Sequence, residues 1–299
     1  NRDLKSNMAE NLKEDPADFA VWKAAKQGEP YWESPYGNGR PGWHIECSAM
    51  ARKHLGNTID IHAGGEDLIF PHHENEIAQS ECANGCTFAN YWMHNAFLNI
   101  DSHKMSKSAG NFFTVRDIAD KYGYEVIRYF MLTGHYRSPL NYTVELLEAC
   151  KAALERLYTC RDNLAFAVQN GGGTSEILAQ KAAIAKTKFC IAMDDDLNTV
   201  EALAAIFDFV RDINTLCAQA SPAAQEMAAT IFDELTGVLG IVQHRDADET
   251  PADVLALVAE RTAAKAAKNW ARADEIRATL AEKGYTVEDT AQGPKLCKK

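Results

Sequence analysis

The chain has 299 residues, of which 46% are hydrophobic and 24% charged, so it can bury a sizeable core and is long enough for two or three domains. No apolar run approaches the roughly 20 residues that span a bilayer, and the polar start NRDLKSNMAENLKEDP lacks the apolar stretch of a signal peptide. These features argue against a membrane protein, and we expect a cytoplasmic one.

Cysteine spacing and net charge further restrict the class of protein. The eight cysteines are spread over the whole chain, several within helical patterns, which disfavours a disulfide framework; we expect most of them to be small buried side chains. The net charge of -11 does not by itself suggest a nucleic-acid partner. Residues 251–299 hold nine Lys/Arg against seven Asp/Glu, a mild basic excess that permits such a partner.

The first third of the chain predicts an α/β domain. Between Asp18 and about Asn99, a Gly/Pro-rich segment typical of turns is followed by short strand-like runs such as TIDIHA and by the helix-like HHENEIAQSECA. The segment KMSKSAGNFF is predicted to be a loop that precedes a helix, because Thr114 and Asp117 have the spacing of a capping box at a helix start.

Beyond Thr143 the apolar spacing is helical and predicts a bundle of long amphipathic helices. GGGTS at 171–175 separates two of them, and Ser221-Pro222 suits the start of another. The polar stretch 243–253 reads as a linker, with Thr250, Pro251 and Asp253 beginning a further helix. A small terminal module follows, for which the simplest prediction is two helices, the second ending near Gly284.

One group of residues is suited to a metal ion. Cys47 lies in GWHIECS, and His72 and Glu76 lie in FPHHENE, four residues apart on one face of a helix predicted to start near Pro71. Thiolate, imidazole and carboxylate together favour zinc, with one coordination position left for another ligand.

Other interpretations of the same residues stay open at this point. Cys47 can be an ordinary core residue and PHHENE a polar helix start whose acids complement the helix dipole. His73 and Glu74 can replace the favoured pair in another register, and Cys82 with Cys86 forms a rival pair.

Two further segments suggest nucleotide chemistry. HAGGED places Gly64 and Gly65 at the end of a strand, where backbone can approach a nucleotide, and the Asp67 carboxylate can accept from a ribose hydroxyl. KMSKS holds Lys104 and Lys107 in a loop, where mobile ammonium groups can neutralise a departing pyrophosphate. As isolated features, a structural turn and a solvated loop are the commoner explanations.

Taken together, these strings resemble a known family. KMSKS resembles the signature of class I aminoacyl-tRNA synthetases. GRPGWHIECSAM, HAGGEDLIFPHHENEIAQSE and HKMSKSAGNFFTVRDI together resemble cysteinyl-tRNA synthetases, and the likeness continues through KEDPADFAVWK to DEIRATLAEKGYTVEDTAQG.

The resemblance implies a two-step reaction, in which cysteine and ATP give cysteinyl-adenylate and pyrophosphate and cysteine then passes to its tRNA. It implies zinc ligated by Cys47, His72 and Glu76, with the substrate thiolate binding the metal, so that serine is rejected without an editing domain. It assigns Trp43 to the wall of the amino-acid pocket.

For the nucleotide, the resemblance implies that Gly64, Gly65 and Asp67 line the nucleoside site, and that Lys107, assisted by Lys104, contacts ATP supplied with magnesium. The implied partners are cysteine tRNA, cysteine and ATP, without a membrane, and we expect a monomer.

The implied fold class is α/β followed by all-α. Residues 1–108 form the remainder of a Rossmann-like catalytic domain with the zinc site and KMSKS loop, 109–242 a stem-contact region and helical bundle, and 243–299 a linker and small anticodon-binding module. The family's N-terminal segment, with a fourth zinc ligand and a HIGH-type ATP motif, is not in this sequence. We therefore expect negligible aminoacylation by this chain alone.

Two further functions stay open. One is that of the related ligase that joins cysteine to an amino sugar in mycothiol synthesis, which needs no anticodon reader. The other is that of a non-catalytic tRNA-binding fragment. For the tail, Trp270 and Arg272 are candidate base-contacting residues, although both also suit an ordinary helical hairpin.

Overall fold

The computed structural model describes residues 13–100, 103–104, 114–243, 251–290 and 293–298. It divides into two compact units, the first formed by residues 1–97 and 136–139 and the second by residues 98–135 and 140–299. None of the helices in the described part is long and apolar enough to span a membrane.

The first unit is α/β, as the sequence predicts. Its elements are β1 (Trp22–Ala24), β2 (Gly39–Pro41), α1 (Ile45–Leu55), β3 (Ile59–Gly65), α2 (Glu74–Asn84) and β4 (Ala89–Asn95). Strands β1 and β2 pair in antiparallel fashion, whereas β3 and β4 are parallel and in register from Ile59↔Ala89 to Gly65↔Asn95. Parallel neighbours need a crossover, and α2 provides it. The carboxyl ends of β3 and β4 consequently lie side by side, where ligands bind in folds of this kind.

The start of α2 differs from the sequence prediction. A single helical turn covers Ile69–His73, but Phe70 within it has an extended conformation (φ -134°, ψ 134°), and the regular helix begins only at Glu74. The sequence prediction therefore placed the start of the regular helix, near Pro71, about one turn before its actual start at Glu74. His73, with helical dihedral angles, is the residue from which α2 continues.

The second unit begins with a small sheet and two short helices: β5 (Leu98–Ile100), β6 (His103–Lys104), α3 (Val115–Tyr122), α4 (Tyr124–Leu132) and β7 (Leu140–Tyr142). The strand order is β6-β5-β7, with β5 antiparallel to β6 and parallel to β7. The predicted capping box is present, since Thr114 Oγ1 accepts from the Asp117 backbone N–H and Asp117 Oδ2 accepts from that of Thr114.

The helical bundle consists of α5 (Val144–Asn170), α6 (Ile177–Asp194), α7 (Thr199–Leu216) and α8 (Pro222–Leu239). The apolar positions that predicted these helices form its core, because Leu147, Leu157, Ile206 and Ile213 are almost completely buried. Hydrogen bonds to the Thr143 and Ser221 side chains cap α5 and α8, where burial of an apolar face supplies most of the stability.

The terminal module contains α9 (Ala252–Ala266), α10 (Trp270–Glu282), β8 (Tyr285–Thr290) and β9 (Gly293–Lys298). The two helices confirm the prediction, and α10 ends just before Gly284. The antiparallel β8–β9 hairpin was not predicted. It completes a small core in which Val254 of α9 and Ile276 of α10 pack against Tyr285 and Val287.

Candidate metal centre and adjoining surfaces

The structure brings together the three side chains singled out as metal ligands. One donor atom from each of Cys47, His72 and Glu76 lies within 4.8 Å of the others. Cys47 is in the first turn of α1, His72 is in the turn that leads into α2, and Glu76 is in the first turn of α2. Two helix starts that are far apart in sequence thus place sulfur, nitrogen and oxygen donors around one point.

Glu76 is the most buried member of this group, with a side chain that is 1% exposed. Its Oε2 lies 2.8 Å from His62 Nε2 and 3.4 Å from His72 Nε2. Its Oε1 is buried without a hydrogen-bond partner among the described residues. Because a buried carboxylate oxygen without a partner is costly, a cation at this point would satisfy it.

Burial and the nearby carboxylates of Glu76 and Glu46 raise the pKa of the Cys47 thiol. Each carboxylate disfavours a second negative charge beside it. A divalent cation would remove that penalty, since metal ligands of this type bind as thiolates. The donor set therefore fits zinc in its chemistry and spacing.

Histidines that the sequence analysis did not single out surround the three residues. His44 Nδ1 lies 2.8 Å from His72 Nδ1, so the two rings share a hydrogen bond that leaves His72 Nε2 directed at Glu76. Together with His62, His44 can fix the orientation of the candidate ligands. His62 could have been suspected from strand alternation, because it lies on the same side of β3 as Gly64.

His73 and His94 form a second part of the cluster. His73 is 3% exposed, and its Nδ1 lies 2.8 Å from His94 Nε2. Burial, with the neighbouring imidazoles, lowers the pKa of His73 to about 4, so this ring is neutral at physiological pH. His62, His73 and Glu76 also satisfy the distance criterion for a metal, which makes Glu76 common to two possible donor sets.

The rival ligands Glu74, Cys82 and Cys86 are less favourable. All three are exposed, and none of them belongs to a donor cluster within the described residues. The expectation that most cysteines are buried was too broad. Cys150, Cys160 and Cys217 are buried, but Cys82, Cys86 and Cys190 are exposed and Cys47 is half-buried.

The candidate nucleotide residues lie at the end of β3. Gly64 and Gly65 are its last two residues, and Asp67 is in the helical turn that follows. A Cβ at Gly64 would come within 2.9 Å of the His73 ring, so only glycine allows this close approach. The backbone of Lys104 is in β6. Lys107 and the rest of KMSKS lie outside the described residues.

Trp43 precedes α1 and is 75% exposed, and with His44 it lines a cleft of about 330 Å³ beside the metal cluster. In the terminal module Trp270 is 59% exposed. Arg272 is engaged within the module, since its guanidinium pairs with Glu260 and Glu275.

Comparisons with known proteins agree with this arrangement of parts. Residues 1–152 match the class I (C) tRNA synthetase catalytic domain, 188–243 match the DALR domain, and 247–293 match the cysteinyl-tRNA ligase anticodon binding domain. The matches and the fold place the chain among the class I aminoacyl-tRNA synthetases, with an α/β part followed by a helical bundle and a small terminal module.

Curated relatives narrow the family to which the chain belongs. The chain is 55% identical to the cysteine–tRNA ligase of Caldicellulosiruptor saccharolyticus, 51% to that of Lachnospira eligens and 52% to that of Symbiobacterium thermophilum, in each case over 95% of its own length. It spans 61–62% of the length of these relatives. The chain belongs to the cysteinyl-tRNA synthetase family.

A solved structure supports the fold alone. LeuRS of Agrobacterium radiobacter K84, in a ternary complex with tRNA and LeuAMS, matches 71% of this chain and 34% of its own with a TM-score of 0.53 at 16% sequence identity. At that level of identity the shared feature is the class I architecture.

Proposed function

We propose that this chain is the metal- and tRNA-binding part of a cysteine–tRNA ligase. That enzyme joins cysteine to ATP as cysteinyl-adenylate with release of pyrophosphate, and then transfers the cysteinyl group to its tRNA. The observation that carries the proposal is the convergence of Cys47, His72 and Glu76 within 4.8 Å of one another. A sulfur-containing donor set suits recognition of a sulfur-bearing substrate.

Cys47, His72 and Glu76 would hold the ion. Bound zinc would supply a Lewis-acid position that favours the thiolate of cysteine over the neutral hydroxyl of serine. The protein would contribute orientation: His62 fixes the Glu76 carboxylate, and His44 fixes the His72 ring. Trp43 would form the wall of the amino-acid pocket next to this cluster.

The ATP site would lie at the carboxyl end of β3. Gly64 and Gly65 would let the nucleoside approach the backbone there, and the exposed carboxylate of Asp67 would accept from a ribose hydroxyl. Lys107, with Lys104 assisting, would neutralise charge on the phosphates of ATP bound with magnesium. The enzyme would act as a cytoplasmic monomer.

The terminal module would read the anticodon. The match of residues 247–293 to an anticodon binding domain favours tRNA over the amino-sugar substrate of the related ligase. Trp270 offers an exposed ring on which an unpaired base can stack. Arg272 is a weaker candidate, because its guanidinium already pairs with two glutamates.

Metal analysis tests the zinc part. We expect purified chain, dialysed against metal-free buffer, to retain about one zinc per molecule, and Cys47→Ser and Glu76→Gln to lose it. Cys82→Ser is the matched control, because Cys82 is an exposed thiol of α2 outside any donor cluster described. Equal zinc content in Cys47→Ser and the control would contradict the assignment. In cobalt-substituted chain, cysteine but not serine should change the optical spectrum.

Binding to tRNA tests the partner independently of the metal. We expect the chain to bind a cysteine tRNA transcript with an affinity that falls as the salt concentration rises. Exchange of the anticodon bases should weaken this affinity roughly tenfold or more. A transcript with exchanged bases in the variable loop serves as the matched control. Equal affinity for all transcripts would argue against an anticodon-reading module.

A further inference from the structure

The chain turns sharply where the helical bundle ends. Helix α8 ends at Leu239, Gly240 then has φ 65°, and Val242 has φ 60°. A positive φ is uncommon for a β-branched residue, and it persists only where surrounding contacts hold the backbone. Ile241 and Val242 are almost completely buried and belong to the bundle core. The turn is therefore imposed by tertiary contacts and is not a local preference of its sequence.

Two arginines from other helices hold the backbone of this turn. Arg128 of α4 donates from Nε to Leu239 O at 2.6 Å, at the end of α8, where a helix leaves its last carbonyls without intrahelical partners. Arg161 of α5 donates from Nη1 to Val242 O at 2.6 Å. The turn is thus fixed against α4 and α5 at the same time.

Glu125 fixes the residue that follows the turn. Its Oε1 accepts from the Gln243 backbone N–H at 2.9 Å, and its Oε2 accepts from the Tyr158 hydroxyl at 2.6 Å. Glu125 is in the first turn of α4, where the helix dipole favours a negative charge, and hydrogen bonds to a carboxylate are among the stronger ones. We call Glu125, Arg128 and Arg161 the exit cluster, because they set the direction in which the chain leaves the bundle.

The exit cluster lies at the boundary between two domains of the family. The match to the DALR domain ends at residue 243, and the match to the anticodon binding domain begins at residue 247. Beyond that boundary, Lys295 of β9 donates a hydrogen bond to the side chain of Asn163, which follows Arg161 by two residues in α5. Helix α5 therefore contacts both the chain that leads to the terminal module and the module itself.

We propose that the exit cluster determines how tRNA is held, by fixing the terminal module where it can contact the anticodon while the rest of the chain contacts the same tRNA. The inference rests on the proposed function, and it makes Glu125 and Arg161 positioning residues that do not touch the RNA. Two contacts with one tRNA reinforce each other only when their spacing fits, because the second contact then forms at a high effective concentration. Loss of the cluster should therefore weaken binding of the whole tRNA and spare a fragment that contacts the module alone.

The test compares two RNAs on the full chain by fluorescence anisotropy: a cysteine tRNA transcript and its anticodon stem-loop alone. We expect Glu125→Ala to weaken binding of the whole tRNA roughly tenfold and binding of the stem-loop less than about twofold. Glu125→Gln should restore most of the loss, because a carboxamide oxygen can still accept from the Gln243 N–H and its NH₂ can donate to the Tyr158 hydroxyl.

Arg161→Met removes the donor to Val242 O and should weaken binding of the whole tRNA several-fold, again with less effect on the stem-loop. Glu234→Ala and Arg211→Met are the matched controls. They remove the same charges from exposed ion pairs of the bundle, Glu234 with Lys186 on α6 and Arg211 with Asp208 within α7. Both controls should change either affinity less than about twofold, as isolated surface charges do.

Several outcomes would overturn the inference. Equal weakening of whole tRNA and stem-loop by Glu125→Ala would show that the substitution damages the module and not its placement. Whole-tRNA affinities that are the same for Glu125→Ala and Glu234→Ala would show that the exit cluster does not position the module. Either result leaves the proposed function standing. Failure of the unaltered chain to bind either RNA would instead count against the proposed function.

Discussion

Glu76 illustrates how a single residue can define a site. Its carboxylate lies in the first turn of α2, where the helix dipole tolerates a negative charge. Its side chain is almost completely buried, and its Oε2 lies beside His62 and His72, yet its Oε1 has no hydrogen-bond partner among the described residues. A carboxylate held in this state is suited to a cation, and it is unsuited to a purely structural role.

Gly64 has a steric role that can be tested. Gly64→Ala would place a methyl group 2.9 Å from the His73 ring and 3.0 Å from Leu68 Cδ1. His73 is held by His94 and has little room to move, so we expect destabilisation of about 1–3 kcal/mol, measured by urea unfolding.

The matched control is Gly237→Ala in the last turn of α8, where the nearest atom to a new Cβ is Gln243 Nε2 at 4.0 Å. Alanine favours helix over glycine, so this change should stabilise by up to about 1 kcal/mol. An unaltered urea midpoint for Gly64→Ala would mean that the His73 ring can move aside after all.

At the scale of elements, the terminal module depends on one ion cluster that joins α9 to β8. Arg261 donates two parallel hydrogen bonds to Asp289, at 2.9 and 2.8 Å, and Lys265 Nζ lies 2.7 Å from the same carboxylate. The Arg261 side chain is only 6% exposed, so it depends on this partner.

We expect Asp289→Asn to destabilise the module by about 1–3 kcal/mol, because it leaves a buried guanidinium without a charged partner. Glu275→Gln breaks the exposed Arg272–Glu275 pair and should cost at most about 0.5 kcal/mol. Thermal unfolding of both variants separates the two cases. Equal losses would show that the Arg261 contact is no more important than a surface pair.

Low pH should destabilise the terminal module in the same way as Asp289→Asn, because both remove the negative charge of Asp289. Hydrogen bonds from Arg261 and Lys265 hold the pKa of Asp289 well below its ordinary value of 3.8. A carboxyl group whose pKa is lower in the folded state stabilises the fold above its unfolded pKa, and this contribution is lost as the pH falls further. The stability difference between wild type and Asp289→Asn should therefore shrink below about pH 4.

At the scale of the whole molecule, the reactivity of each cysteine thiol measures how deeply that thiol is buried. Burial raises the pKa of Cys160 to about 12 and also raises those of Cys150 and Cys217. The thiolate is the reactive form, so these three should resist iodoacetamide in the native protein. The exposed Cys82, Cys86 and Cys190 should be labelled.

Peptide mass spectrometry after a short exposure to the reagent measures this pattern, and the same treatment in urea is the control in which all of these thiols should react. Labelling of Cys160 at the rate of Cys190 would contradict the bundle core described above. Cys47 should become protected when zinc is added.

Local patterns were sufficient for much of the fold. Apolar spacing identified the helices from Thr143 onwards, since a helix must bury one face whatever its partner is. The Thr114–Asp117 cap and the Ser221-Pro222 start were also predictable, because both depend on neighbours in sequence. The β8–β9 hairpin was missed, since its pairing is stabilised by packing against α9 and α10 and is not encoded in a strong turn signal.

For the candidate site, sequence by itself determined which chemical groups are available: a thiol, an imidazole and a carboxylate in strings typical of one family. The tertiary structure decided which of them meet. It selected Glu76 over the exposed Glu74 and added His44, His62 and His94, which come from different elements. The physical reason is that helical and strand periodicity fix the face on which a side chain lies, whereas the partner across that face depends on how the elements pack.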